Sequence, residues 1–211
     1  MSTESTARRR RYVLAISGAS GAIYAARTLA ALLADGCQLD VIVTDYGKRL
    51  LLDELGPDAR VDHLMPYLAG KYGDNVSRGS LTLHSNRDLG AAIASGSQPC
   101  DGMVIVPCSM KTLAGVANGL SRALVERAAD VMLKERKPLI IVPRETPMSL
   151  PQLRNMVLCA EAGAMVLPAM PAFYQLPKPL DALADFMAGK ILSALGVEQR
   201  LFRAWTGQVE R

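Results

Sequence analysis

Residues 103–147 constrain the fold of this chain more than any other stretch. The segment begins and ends with short apolar runs, Met103–Val106 and Leu139–Val142, and each run is followed by a proline. A helix-period segment of balanced charge separates them, and a strand, crossover and strand of this kind places both strands parallel in one buried sheet. Ligands of such sheets bind beyond the carboxyl ends of the strands, where the chain reads PCSMKT and PRETP. The segment therefore predicts one wall of an active site.

The same alternation of strands and helices extends along most of the chain. Apolar runs predict further strands at Tyr12–Ser17, Gln38–Thr44, Ser80–His84 and Ala164–Leu167. Helical spacing predicts helices over 23–34, Tyr46–Glu54, Leu150–Ala162 and Leu180–Leu195, whereas residues 56–100 are the least regular part. The pattern predicts a single α/β domain over residues 11–196, a doubly wound (Rossmann- or flavodoxin-like) parallel sheet with helices on both faces.

The basic charge of the chain is concentrated in front of this domain. Four of the 24 basic residues are Arg8 to Arg11, and the formal net charge is +4. With Glu4, residues 1–11 carry +3, so that only +1 is left for the rest of the chain. A short basic segment before a neutral domain is weak support for a nucleic-acid partner. We expect residues 1–10 to be a disordered basic lead and expect no nucleic acid as a partner.

Membrane and metal partners are not expected either. No apolar run is long enough to span a bilayer, and the N-terminal segment lacks the apolar part of a signal peptide, so the sequence predicts a cytoplasmic protein. The four cysteines and two histidines are scattered without the close spacing of a zinc site. Reduced and mostly buried thiols, and no metal, are the expectation.

Gly18-Ala19-Ser20-Gly21 joins the first predicted strand to the first helix. A glycine-rich turn at this place directs backbone N–H groups at an anion, usually a phosphate, although a tight turn without a ligand is the alternative. The turn is neither a P-loop nor the G-x-G-x-x-G fingerprint, because Ser20 replaces the second glycine. Thr44 ends the second strand, where its hydroxyl can hydrogen-bond a cofactor, and the acid Asp45 that follows would suit the ribose of NAD. These two residues do not decide between a flavin and NAD as the cofactor.

Two more strand ends carry candidate binding residues. Ser109 and Thr112 begin a helix, where they either cap it or surround a flavin or phosphate. Arg144 and Glu145 form either a surface ion pair or a phosphate clamp beside an acid. Arg127 and Lys134 are seven residues apart and share a helix face. Ser95 and Gly96 lack bulky side chains, so a ligand can approach them closely.

Taken together, these motifs closely resemble the flavin prenyltransferase (UbiX) family over nearly the whole chain, from Tyr12 to Trp205. The matching segments are ISGASGAIY, ASGS, PCSMKTLAG, ERAADVMLKERKPLIIVPRETP and PAFY. The resemblance implies an enzyme that makes prenylated FMN from reduced FMN and dimethylallyl monophosphate, without a metal. It also implies a homododecamer with active sites at subunit junctions, and a product that serves a UbiD-type decarboxylase. In such an assembly we expect residues 197–211 to pack on a neighbouring subunit.

The resemblance also implies roles for individual residues. FMN would be held by Gly18, Ala19, Ser20, Thr44, Ser109, Met110, Lys111, Thr112 and Arg144. The prenyl phosphate would meet Ser95, Gly96, Arg127, Lys134, Glu145, Tyr174 and Lys190, partly across a subunit boundary. The catalytic set would be Ser20, Glu54, Arg127, Lys134 and Glu145, in which Glu145 or Tyr174 protonates the leaving phosphate and Ser20 or Glu54 removes a proton from the flavin.

Two residues depart from the family pattern. Lys190 stands where many members have arginine, and Leu89 stands where some have tryptophan over the prenyl group. Lysine binds phosphate as a point charge rather than as a fork, so substrate choice is open at that position. Two other functions remain as alternatives: an FMN-dependent enzyme of the cysteine-decarboxylase type, and a non-catalytic FMN-carrier subunit. The first would not need the basic cluster of Arg127, Lys134 and Lys190, and the second would not need Glu54 and Glu145 in the pocket.

Overall fold

The computed structural model describes residues 8–174, 176–177, 179–205 and 207, and in them six strands form one sheet. All strand pairs are parallel, and the order across the sheet is β3-β2-β1-β4-β5-β6. The strands are β1 (Arg11–Ile16), β2 (Gln38–Val43), β3 (Ser80–Ser85), β4 (Gly102–Cys108), β5 (Leu139–Pro143) and β6 (Met165–Val166). The predicted doubly wound α/β fold is therefore confirmed, with its reversal of strand order between β1 and β4.

Helices cover both faces of this sheet. They are α1 (Ala22–Ala34), α2 (Asp45–Leu55), α3 (Leu64–Tyr72), α4 (Met110–Ala117), α5 (Leu124–Lys134), α6 (Leu150–Glu161) and α7 (Leu180–Ala194). Short 3-10 helices lie at Val61–His63, Asp74–Arg78 and Ala92–Ala94. The helices α1, α3 and α7 supply buried residues to one hydrophobic core, and α4 and α5 supply them to a second core across the sheet. The central strand β4 contributes to both and is buried throughout.

Two helical regions differ from the sequence prediction. The helix α3 lies inside the stretch predicted to be irregular, and it forms because Leu64 and Leu68, one turn apart, are buried against the core. The crossover between β4 and β5 contains two helices rather than one continuous helical pattern. Gly119, with a φ of +63°, follows the end of α4 and allows the chain to turn before α5 begins.

A buried polar network ties β1, β2 and β3 together on one face of the sheet. The Asp40 side chain is 3% exposed and accepts hydrogen bonds from Arg11 Nε at 2.6 Å and from His84 Nε2 at 2.8 Å. Burial acts to raise the pKa of Asp40, but the hydrogen bonds from Arg11 and His84 outweigh it and hold the pKa below its usual value. The ionised carboxylate thus joins three adjacent strands.

The segments that flank the domain contact it in this chain. Arg8 pairs with Asp101, and Arg10 donates to the Gly196 carbonyl; residues 1–7 lie outside the described residues. At the other end, the Phe202 ring packs against Phe186 of α7. The predicted packing of the tail on a neighbouring subunit stays a prediction. Within the described ranges, no helix has both the length and the apolar character needed to cross a membrane.

Candidate active site

The turn after β1 lies at the carboxyl edge of the sheet, where the strand order reverses. A Cβ atom on Gly18 would lie 2.5 Å from the Cβ of Tyr46, so only glycine allows the turn to pass this close to α2. Ala19 is buried and Ser20 is exposed. Among the described residues, the amides of Gly18 and Ser20 donate to no protein acceptor, whereas Ala19 N donates to Ser17 O at 2.9 Å. The turn therefore presents free donors at the place where open sheets bind ligands.

Glu54, near the end of α2, closes one side of this turn. Its Oε2 accepts hydrogen bonds from Gly21 N at 2.9 Å and from Ala22 N at 2.7 Å. A carboxylate at this position satisfies two otherwise unpaired amides and complements the positive end of α1. Glu54 therefore has a structural role at this turn, and the position near the reacting flavin edge that the family resemblance implies stays a prediction. A phosphate at this turn would use the amides that Glu54 leaves free.

The end of β4 is tied to the end of β1 by Ser17, a residue that sequence reasoning treated only as part of a strand. Ser17 is fully buried; its Oγ donates to Pro107 O at 3.1 Å and accepts from Ser109 N at 2.7 Å. The Ser109 Oγ accepts from Thr112 N at 3.3 Å, so the helix-capping interpretation of this pair is correct. Thr112 is itself buried, which leaves Ser109, the partly exposed Met110 and the exposed Lys111 at the edge.

Arg144 comes next along this edge, directly after β5. Its backbone N donates to Cys108 O at 3.3 Å, and its Nε donates to Ser20 O at 2.9 Å, which joins three strand ends. In the part of the chain that the structure describes, Arg144 makes no ion pair with Glu145; the Glu145 Oε1 accepts from Thr146 N at 3.0 Å instead. The surface-ion-pair interpretation therefore does not hold here, and the other guanidinium N–H groups stay available.

Thr44 completes the group of strand ends. Its Oγ1 accepts from Gly47 N at 3.1 Å and caps α2, while Thr44 N donates to Ile16 O at 3.0 Å. Asp45 points to solvent and pairs with Lys48 and Arg87. These cations lower the pKa of Asp45, with the Lys48 hydrogen bond as the largest cause. The carboxylate that would suit an NAD ribose is thus engaged in exposed ion pairs.

A second group of predicted residues lies along α5. The Arg127 Nε donates to Ala94 O at 3.0 Å, next to Ser95 and Gly96, and an Arg127 Nη pairs with Asp130 at 2.7 Å. At the far end of the helix, the Lys134 Nζ lies 2.8 Å from Glu135 Oε1. Gly96 lies against the same Glu135 carboxylate. Both cations therefore have carboxylate partners within this chain.

Tyr174 and Lys190 form a third group on the side of α7. Tyr174 lies in the loop between β6 and α7, and Lys190 is exposed in the last turns of α7. No hydrogen bond or ion pair between described residues joins these two, or Lys134, to the turns after β1, β4 and β5. Leu89 is 48% exposed in the turn after β3. Hydrogen bonds thus join the first group within one chain, and no such bond between described residues ties the second and third groups to it.

The cysteines do not provide a nucleophile at this edge. All four are free and buried. Burial raises the pKa of Cys37 and of Cys159 to about 11, and it raises the pKa of Cys100 and Cys108 as well. Within the described ranges, no group of three or more His, Cys, Asp and Glu side chains could hold a metal ion. The chemistry available at the edge is that of hydroxyls, carboxylates and cations.

Comparisons with known proteins agree on one family. The family model Flavoprotein matches residues 1–186. The flavin prenyltransferase UbiX of Halalkalibacterium halodurans is 44% identical over 92% of both chains, and that of Methanothermobacter thermautotrophicus is 42% identical over 93% of this chain and 95% of its own.

Solved structures agree with these relatives. A crystal structure of AnUbiX (PadA1) in complex with FMN and dimethylallyl pyrophosphate has a TM-score of 0.85 at 35% identity, covering 95% of this chain and 100% of its own. A dodecameric FMN-dependent Ubix-like decarboxylase from Escherichia coli O157:H7 has a TM-score of 0.81 at 34% identity, covering 93% of this chain and 100% of its own.

Proposed function

The chain belongs to the flavin prenyltransferase UbiX family, and we propose that it transfers the dimethylallyl group of dimethylallyl monophosphate to N5 and C6 of reduced FMN. The observation that carries this proposal is the arrangement at the carboxyl edge, where Arg144 is hydrogen-bonded to Ser20 beside free backbone amides. Amides and a guanidinium are the donors that phosphate groups require.

The residues at this edge suit both reduced FMN and the steps that follow its binding. The free amides of Gly18 and Ser20, the Ser109 hydroxyl, Lys111 and Arg144 supply donors to the flavin and its phosphate. Reduced FMN supplies the nucleophilic N5 and C6 atoms, and Ser20 or Glu54, both at the first turn, takes up the proton that C6 loses. In this proposal Glu145, the residue after Arg144, protonates the departing phosphate.

A dodecamer is part of the proposal because no hydrogen bond or ion pair between described residues ties three of the predicted cations to the first group within one chain. Arg127, Lys134 and Lys190 would neutralise the leaving phosphate, yet in the single chain they lie along α5 and α7. The helix α6 begins soon after Arg144 and Glu145. Four of its apolar side chains are between 42% and 58% exposed: Leu150, Leu153, Val157 and Leu158. Such a surface suits contact with another subunit, which would bring the second and third groups to the edge.

The same family membership supports a proposal on the product and the setting. We propose that the prenylated FMN passes to a UbiD-type decarboxylase, that the reaction needs no metal, and that it takes place in the cytoplasm.

Mass spectrometry of the flavin tests the proposal directly. The enzyme is incubated anaerobically with FMN, dithionite and dimethylallyl monophosphate, and a parallel sample receives the diphosphate. We expect FMN to gain one dimethylallyl group with the monophosphate. Unmodified FMN in both samples would contradict the proposal. Decarboxylation of a cysteine-containing peptide would then identify the cysteine-decarboxylase alternative, and FMN binding without any reaction would identify the carrier.

A further inference from the structure

Among the described residues, aromatic rings and not hydrogen bonds hold the Tyr174 side chain. Its ring makes edge contacts with Phe186 of α7, at a centroid distance of 6.1 Å and an angle of 87°, and with Trp205 of the tail, at 5.1 Å and 71°. Among the described residues, the Tyr174 hydroxyl has no hydrogen-bond partner. The direction of the phenol therefore depends on how these two rings pack against it.

The tail reaches Tyr174 because it is anchored on α7. Gln199 Oε1 accepts from Leu201 N at 2.9 Å and from Phe202 N at 3.2 Å, which folds the chain into a tight turn. The Phe202 ring then lies against Gly189, where an added Cβ would come within 2.6 Å of the ring, and 4.9 Å from Phe186. Trp205 follows three residues later; its ring contacts that of Tyr174, and the residue is still 53% exposed.

We propose that Trp205 is a positioning residue for Tyr174, so that the prenyl-phosphate half of the active site forms only when the tail is seated on α7. This rests on the proposed function, because it assigns Tyr174 to the prenyl phosphate. The tail couples to the reaction through a ring contact and not through FMN, whose donors lie on the turns after β1, β4 and β5. The affinity for prenyl phosphate and the affinity for FMN therefore depend on different parts of the chain.

Steady-state kinetics of Trp205 variants test the coupling. Trp205→Ala removes one of the two ring contacts of Tyr174, and we expect KM for dimethylallyl monophosphate to rise about threefold to tenfold. The Kd for FMN should not change, and Trp205→Phe, which keeps a ring, should restore most of the loss. Phe173→Ala is the matched control, since Phe173 is 69% exposed in the same loop and makes no ring contact among the described residues.

A double variant separates positioning from a general effect of the tail. If Trp205 acts through Tyr174, then Trp205→Ala adds no further rise in KM in a chain that already carries Tyr174→Ala. Light scattering on every variant checks that the assembly is unchanged. Additive effects of the two substitutions, or a wild-type KM in Trp205→Ala, would overturn the proposal.

Fluorescence gives a measurement that needs no turnover. Trp205 is the only tryptophan of the chain, so emission excited at the tryptophan band reports on this residue alone. We expect Tyr174→Leu to shift that emission, and dimethylallyl monophosphate to shift it in the FMN-loaded wild type but not in Tyr174→Leu. An emission unaffected by both would overturn the positioning role. If the wild-type enzyme shows these shifts but makes no prenylated flavin, the proposed function is contradicted, whereas the contact between Trp205 and Tyr174 is supported.

Discussion

Arg144 connects the ends of three strands, and this makes it the most informative single residue of the site. Its backbone is bonded to Cys108 and its guanidinium to Ser20. We expect Arg144→Ala to weaken FMN binding by about 2 kcal/mol, roughly thirtyfold, because a charged phosphate contact is lost. Titration of FMN fluorescence measures this. Arg60→Ala, which removes an exposed arginine paired with Asp62, is the control, and equal affinity in both variants would refute the clamp.

Glu145 is the residue to test for acid catalysis. Its carboxylate accepts only from the neighbouring Thr146 amide among the described residues, so no ion pair accounts for it. Glu145→Gln keeps the shape and removes the titrating group, and we expect single-turnover formation of prenylated FMN to slow by about 10²–10⁴-fold. FMN binding is checked alongside. Near-normal turnover would show that Glu145 is not the general acid and has only a structural role.

The capping role of Glu54 can be tested by stability measurements, independently of its proposed role in proton transfer. Glu54→Ala leaves the amides of Gly21 and Ala22 without their acceptor, and we expect a loss of about 1 kcal/mol of stability, as for other helix caps. In a chain of this length that corresponds to a fall in Tm of roughly 2–4 °C. Glu54→Gln keeps an acceptor oxygen and should lose less stability. Calorimetry compares them; identical Tm values for both variants and the wild type would exclude the capping role.

At the scale of elements, Asp40 is the link between β1, β2 and β3. Since its pKa is lower in the folded chain than the unfolded value near 3.9, its contribution to stability is present above about pH 4 and is lost as the pH falls below that. We expect Asp40→Asn to be less stable at pH 7, because Arg11 and His84 lose a charged partner.

Urea unfolding between pH 7 and pH 3 tests this link. The stability difference between wild type and Asp40→Asn should shrink as the pH falls through the acid range. Asp58→Asn, at an exposed aspartate, controls for loss of an ordinary carboxylate. A difference that stays constant with pH would mean that folding does not lower the pKa of Asp40, which would contradict this link.

At the scale of the whole molecule, we expect the proposed activity to depend on assembly. Val157 is 55% exposed in the middle of the apolar side chains of α6. We expect Val157→Arg to reduce the particle size in light scattering and to reduce prenylated FMN formation with it, because a charge is costly in an apolar interface. Leu52→Arg, at an exposed leucine of α2, is the control. A dissociated but fully active variant would show that one chain suffices.

The sequence by itself determined the parallel sheet, its six strands and the edge that carries the candidate site, because those depend on local periodicity and on the rule that parallel strands end at one edge. Met103–Val106 and Leu139–Val142 lie inside β4 and β5, and the turns at Gly18, Ser109 and Arg144 meet as expected. The tertiary structure alone decided which partners these residues have. Glu54 caps a helix 32 residues away, and Ser17 binds a turn 92 residues away.

The same reason explains what the sequence could not predict on the side of α7. Trp205 meets Tyr174 only because the tail folds back on α7, and no local pattern encodes that return. Likewise, the seven-residue spacing of Arg127 and Lys134 predicts that they share a helix face, but it does not predict their ion pairs. Arg127 pairs with Asp130, and Lys134 pairs with Glu135. Contacts between residues far apart in the chain depend on how whole elements pack, and spacing along one element contains no information about them.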